Sequence, residues 1–272
     1  MLTAVAGAQF HGQVHVRVDG PDDGSVLMLL HGFSGSLHWY DPLVERLGVT
    51  FRLIRVDLLG HGATGGEATD APGQAAMAQA VLELLGVDDV TVVGHSFGAD
   101  VAVELAEQSA RVSRVVVLAQ APDYSDATLP RGNAIMTVPV MNVVLHRSAR
   151  RLAGVLASVS ARRNPAGREL AQRAVADFRA LNTAMFRIIL VDRKVRMARR
   201  PLDAQLRDAR KPALVVLGGR DHFYGARSAG RYERAGAQVE ILAESGHNPI
   251  MDFPDRTAEL VRRFVLPQEQ TG

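Results

Sequence analysis

The sequence predicts an α/β protein: a mostly parallel, doubly wound sheet with a helical segment inserted into it. Three observations carry that expectation. Short runs rich in Val, Ile and Leu alternate with helical patterns along most of the 272 residues. The alternation stops after Leu118 and resumes at Ala213. The stretch between is helical in composition and strongly basic. Strands that are apolar throughout are covered by helices on both faces, which is the condition of a parallel sheet.

Taken in order, residues 13–18 alternate like a strand and residues 26–30, VLMLL, read as a buried one. Further strands are expected at 51–57, 90–93, 115–118, 213–217 and 239–242. Helical patterns occupy 74–85, 99–110 and, after Pro254, 255–265. Between 118 and 213, Leu, Ala and Arg recur, punctuated by Pro130, Pro139, Pro165 and Pro201. The expected division is a core at 1–123, a helical cap at 124–211 and a return to the core at 212–272.

Composition excludes several classes. A chain that is 47% hydrophobic and 22% charged is neither disordered nor fibrous. It has no cysteine, which removes disulfides, iron–sulfur clusters, thiolate zinc sites and a cysteine nucleophile. The longest apolar runs, 26–30 and 115–119, are strand-sized, so no stable membrane insertion is expected. The start, MLTAVAGAQFHGQVHV, has no basic stretch before an apolar one, and a cytoplasmic protein is expected. A net charge of +2 hides an asymmetry: residues 124–211 hold 18 Lys and Arg against 6 Asp and Glu, a local balance of +12. No zinc-finger spacing or aromatic–glycine motif accompanies that basic block, so no nucleic-acid partner is expected. No His, Asp and Glu cluster has metal-ligand spacing, and the glycines at 60–66 lack the Lys of a phosphate loop. Neither a metal nor another cofactor is therefore expected.

The strongest local signal is TVVGHSFGADVAVELA, in which Gly94-His95-Ser96-Phe97-Gly98 joins a β-branched run to an amphipathic helix. A strand, a very tight turn and a helix put Ser96 at the apex, and side chains at 94 and 98 would collide across the turn. A serine hydroxyl needs a base to take its proton, and the base needs a third group to orient it. His247, in ESGHNPIMDFP, follows the last strand, where loops of a parallel sheet open on the same edge as Ser96. Asp221 follows the strand at 213–217 through Gly218 and Gly219, and its rival is Asp123 in AQAPDYS. The backbone N–H groups of Phe33, in HGFSGS, and Phe97 are the natural oxyanion donors.

These motifs together resemble the α/β-hydrolase family in its capped form, over nearly the whole chain. LLHGFSGS resembles the oxyanion segment, VDLLGHGAT the loop after the next strand, and GHSFG the nucleophile elbow. GGRDHF resembles the acid loop and SGHNPIMDFP the histidine loop. The resemblance implies Ser96 as nucleophile, His247 as base, Asp221 as orienting acid and Phe33 with Phe97 as oxyanion donors. It also implies a substrate roof inserted between strands 6 and 7 of the sheet. Leu59 and the Ala63-Thr64 pair depart from the usual Arg and Ser of one structural loop. A Ser nucleophile argues against the aspartate-using dehalogenase and epoxide-hydrolase branches.

The activity implied is hydrolysis of a carboxylic ester, lactone or thioester of a small to medium hydrophobic molecule. Carbon–carbon bond hydrolysis, or acyl transfer and cyclisation, on the same triad stand beside it, as does a non-catalytic ligand receptor. The partner is a small-molecule substrate, and a homodimer is compatible with the sequence. His31, His61 and His95 read as backbone-bonding turn residues, and Asp252 as approaching or capping the final helix. His222 reads equally as a pocket or a solvent residue. His38, Trp39 and Tyr40 are either pocket wall or core. The arginines of the insertion, with Arg150, Arg151, Arg162 and Arg163 as adjacent pairs, are either a solvated face or an attractor of anionic ligands.

Overall fold

The computed structural model describes residues 2–7, 10–127, 144, 146–149 and 168–266. Pro130, Pro139, Pro165 and the pairs Arg150–Arg151 and Arg162–Arg163 lie outside the described residues. Among the described residues the sheet has eight strands, β1 Leu2–Gly7, β2 Phe10–Asp19, β3 Ser25–Leu30, β4 Phe51–Val56, β5 Val90–His95, β6 Val112–Leu118, β7 Ala213–Gly218 and β8 Gln238–Leu242. Their spatial order is β1-β2-β4-β3-β5-β6-β7-β8. The β1–β2 and β2–β4 pairings are antiparallel, and every pairing from β4 to β8 is parallel. The sheet is therefore mostly parallel, as its apolar strands require.

Strand residues divide between two cores by the two-residue period of the pleat. Met28 and Leu30 join Ile54, Val56, Val92, Val115 and Val117 on one face, against helices α2 Ala71–Leu85 and α3 Phe97–Gln108. Leu27 and Leu29 join Leu53, Val93, Val116 and Leu118 on the other, together with α1 Asp41–Leu47 and the C-terminal helix Pro254–Val265. Elements not expected from the sequence include β1, the helices Ala229–Arg234 and Pro249–Asp252, and α1, which begins on Asp41-Pro42 where proline suits the first helical turn.

Between β6 and β7 most of the described residues are helical. They include α4 Arg168–Ala180, α5 Ala184–Arg187, a π-helical turn Ile188–Asp192, α6 Arg193–Arg199 and α7 Leu202–Ala209. The basic excess of this excursion meets acidic side chains elsewhere. Arg193 pairs with Asp100 at 2.5 Å and Arg196 with Glu104 at 2.7 Å, and Arg200 pairs with Glu107, so three cations run along α3. Arg173 of α4 reaches Asp41 at 2.5 Å. Among the described residues no helix is long and apolar enough to cross a membrane.

Asp57, just past β4, joins three segments near the future site. Its carboxylate accepts from His15 Nδ1 on β2 at 2.8 Å, from Leu37 N–H at 2.7 Å and from Ala63 N–H at 2.8 Å. Burial works to raise its pKa, but His31 and these hydrogen bonds outweigh that and hold it below the usual carboxylate range. A carboxyl lowered in the fold stabilises above its unfolded pKa and loses that contribution as pH falls through the folded value. Asp57→Ala should cost about 3 kcal/mol at pH 7, measured by urea unfolding, because two backbone N–H groups lose their acceptor. Below about pH 4 the gap between variant and wild type should narrow.

Candidate active site

Ser96 sits between β5 and α3 with φ 51° and ψ −119°, outside the ordinary regions for a residue with a side chain. Neighbouring glycines impose that geometry. A Cβ on Gly98 would lie 2.0 Å from the Leu30 carbonyl oxygen, and one on Gly94 would lie 2.2 Å from the Gly98 carbonyl oxygen. The Ser96 N–H donates to Leu118 O at 2.9 Å, tying the turn to β6. Phe97 is the first residue of α3, so its N–H is among the helix's free N-terminal donors.

The structure brings Ser96, His247 and Asp221 together. Asp221 can only accept, so the 2.8 Å contact with its Oδ2 assigns the proton to His247 Nδ1. His247 Nε2 is then left to accept from the Ser96 hydroxyl at 3.1 Å. Asp221 Oδ1 also accepts the N–H groups of Phe223 at 2.7 Å and Tyr224 at 3.1 Å. Burial pushes its carboxyl up, but the hydrogen bond and charge of His247 and the two backbone donors bring the net shift below the ordinary value. Asp123, the rival acid, is engaged elsewhere: Arg231 pairs with it at 2.9 Å, and Ser125 N–H donates to it at 2.8 Å.

The loop after β3 lies against this turn. A Cβ on Gly32 would be 3.1 Å from Ser96 Cβ. Residues 32–35 form a tight turn closed by Gly35 N–H on Gly32 O at 3.1 Å, with Ser34 at φ 55°. Closing that turn uses neither the Phe33 nor the Ser34 N–H. The Phe33 ring is half-buried and meets Phe186 edge to face at 4.9 Å.

Three histidines near the site are buried and neutral. His31 donates from Nδ1 to Gly32 O and accepts the Leu58 N–H at Nε2, and burial lowers its pKa. Burial, with His31 nearby, lowers His61 to about 3. His95 is also lowered to about 3, by burial and then by His247, and its Nε2 donates to the His247 carbonyl at 2.8 Å. All three bond to backbone, as their turns predict, and only the distant partner of His95, in the histidine loop, was not named by the sequence.

Asp252 approaches the final helix, lying two residues before Pro254, but does not cap it. It ends the short helix Pro249–Asp252 and accepts from Gly246 N–H at 2.8 Å and Ser245 Oγ at 3.2 Å, bracing the histidine loop from below. One backbone N–H and one hydroxyl of the preceding loop claim its carboxylate. His222 is exposed. Tyr40 is core, donating to Leu30 O at 3.0 Å, whereas Trp39 Nε1 donates to Asp177 of α4 at 2.8 Å. Tyr224 and Phe223 were also missed; their rings lie 5.5 and 5.2 Å from that of His247. Among the described residues no group of three or more His, Asp or Glu could hold a metal ion.

An elbow serine on a parallel sheet, hydrogen-bonded through a histidine to a carboxylate, is the arrangement of α/β-type hydrolases. The chain matches the alpha/beta hydrolase family over residues 27–260 and belongs to that family, an enzyme family of hydrolases. It is 29% identical over 261 residues to an uncharacterized protein of Mycobacterium tuberculosis, covering 89% of this chain and 75% of that one. It is 27% identical over 258 residues to the pimeloyl-acyl-carrier-protein methyl ester esterase of Nitrosomonas europaea, covering 89% of this chain and 96% of that one. The enol-lactonase structure from Burkholderia xenovorans is similar with a TM-score of 0.76 at 20% identity, covering 97% of this chain and 99% of that one.

The elbow tolerates no added carbon. Gly98→Ala should destabilise the protein by more than about 3 kcal/mol, or prevent folding, as overpacking against a fixed carbonyl does. Thermal unfolding followed by circular dichroism measures it.

Proposed function

We propose that this protein is a serine hydrolase that cleaves a carboxylic ester, lactone or thioester of a small to medium hydrophobic molecule through an acyl-enzyme. The observation that carries the reading is the continuous hydrogen-bond chain from Ser96 Oγ through His247 to Asp221, whose side chain is wholly buried. Ser96 Oγ attacks the carbonyl carbon while its proton passes to His247 Nε2. The carbonyl oxygen becomes an oxyanion and accepts from the N–H groups of Phe33 and Phe97, whose positions beside Ser96 support that role. Collapse expels the alcohol or thiol, which takes the proton back from His247. Water, deprotonated by His247, then releases the acid and restores Ser96. Asp221 keeps the Nδ1 proton in place throughout.

An apolar substrate is supported by the aromatic surfaces at the site: Phe33 on Phe186, with Phe223, itself 40% exposed, against His247. The name of the 27% identical relative, a methyl ester esterase, supports an ester bond. In this reading the helical excursion is the roof of the pocket, which the contacts of Phe186 and Asp177 with residues of the loop after β3 support.

A panel of p-nitrophenyl esters of increasing acyl length, run beside acyl-thioesters and a lactone, tests the proposal. Ser96→Ala should abolish turnover and fluorophosphonate labelling while leaving the fold intact; activity within tenfold of wild type overturns the mechanism. Asp221→Asn should lower kcat by on the order of 10⁴, as loss of the correct tautomer does in analogous triads. Asp123→Asn should change it little.

A second expectation concerns charge. Arg173, Arg193, Arg196 and Arg200 are each paired with a carboxylate outside the excursion. With those cations neutralised, kcat/KM for an anionic ester and for a neutral one of similar size should respond alike to salt between about 0.01 and 0.15 M. A selective loss for the anionic ester would show that the excursion gathers anions.

A further inference from the structure

The reaction as described makes no use of Arg193, the first residue of α6, yet its side chain is only 3% exposed. Its Nε and Nη2 donate to the two oxygens of Asp100 at 2.5 and 2.9 Å. Nη1 donates to the hydroxyls of Tyr124 and Tyr224, both at 2.9 Å. The guanidinium carbon lies 5.3 and 5.7 Å from the centroids of those two rings, within cation–π range. Burial opposes its charge, but Asp100 overrides that and holds the group firmly protonated. The π-helical turn Ile188–Asp192 immediately precedes it, and the Ile189 carbonyl accepts the Tyr124 hydroxyl at 2.9 Å. Such turns often mark functional positions in helices.

Both ends of this cluster lead to the reacting groups. Asp100 lies in the first turn of α3, four residues after Ser96. Tyr224 N–H donates to Asp221 Oδ1, and its ring lies against His247. One guanidinium therefore grips the helix that carries the serine and the loop that carries the acid. The other two cations along α3 provide the contrast. Arg196 and Arg200 join the same segments through Glu104 and Glu107 and, among the described residues, bond to neither the acid loop nor the histidine loop.

We infer that Arg193 is a positioning residue: by holding the Tyr224 hydroxyl it fixes the Asp221–His247 pair relative to the helix that carries Ser96. This rests on the reading of those three residues as the catalytic triad. Removing the grip leaves the nucleophile and the base present and lets the base drift. A displacement of about 1 Å can cost as much as about 100-fold in rate, and the loss is expected in kcat because the group displaced is the base that moves the proton.

The test uses the full chain and one p-nitrophenyl ester turned over by wild type. Tyr224→Phe keeps the ring on His247 and removes only the hydroxyl, and Arg193→Lys keeps a cation beside Asp100 but lacks the fork. Each should lower kcat about tenfold with KM within about twofold, and the double variant should fall little below the worse single, since both break one connection. The downfield proton resonance of the His247–Asp221 hydrogen bond should broaden in both. Arg200→Gln should leave kcat and that resonance as in wild type. A Tyr224→Phe variant with wild-type kcat and resonance, or losses that multiply in the double variant, overturns the inference while the triad reading stands. Turnover that survives Ser96→Ala overturns the triad reading and this inference with it.

Discussion

Where β5 turns into α3, two stretches of backbone meet with no side chain between them. The Leu30 carbonyl sits where a Cβ of residue 98 would be, and the Gly98 carbonyl sits where a Cβ of residue 94 would be. That close approach sets the angle at which α3 leaves the sheet. It forces Ser96 into a conformation that costs of order 1–3 kcal/mol, held because strands on both sides over-determine it. It also presses the loop after β3 against the serine, with Gly32 in contact. Nucleophile, helix N-terminus and neighbouring loop are thus placed by one steric fact, before any hydrogen bond is counted.

Around that contact the polar groups are arranged so that few of them titrate. His31, His61 and His95 are buried and hold their pKa values down, so each acts as a neutral donor or acceptor to backbone. The carboxylates have the opposite habit. Asp57, Asp221 and Asp252 each accept backbone N–H groups from their own loops, which rigidifies the loops and keeps the first two charged despite burial. Loops of irregular path meet here, and charge-assisted bonds to their backbones do what a sheet ladder does elsewhere.

Much of this was legible in the sequence, for identifiable reasons. The strands from 26 to 242 are rich in Val, Leu and Ile, and the glycines at 94 and 98 mark a turn too tight for side chains there. Ser96, Asp221 and His247 follow from where loops leave a parallel sheet, and the 2.8 and 3.1 Å contacts bear out their proximity. What was not legible depends on partners distant in the chain. In RKVRMARR every arginine looks alike, and carboxylates about 93 residues earlier decide which one is buried. Leu2–Gly7, with its Thr, Ala and Gly, becomes a strand only by pairing with β2. That Asp252 approaches the final helix was legible, but not that its carboxylate accepts the Gly246 N–H six residues earlier across a turn.

The run of carboxylates on α3 has a consequence for the order of assembly. Asp100, Glu104 and Glu107 belong to the first half of the chain, and their cations do not leave the ribosome until residues 193–200 have been made. Within the first half Asp100, whose side chain has no exposed surface, has the neutral Gln120 Nε2 donor at 3.1 Å, and its cation comes only with Arg193. In the finished fold the helix bearing the serine is thus covered on this face by a segment that follows it in the chain by about 93 residues.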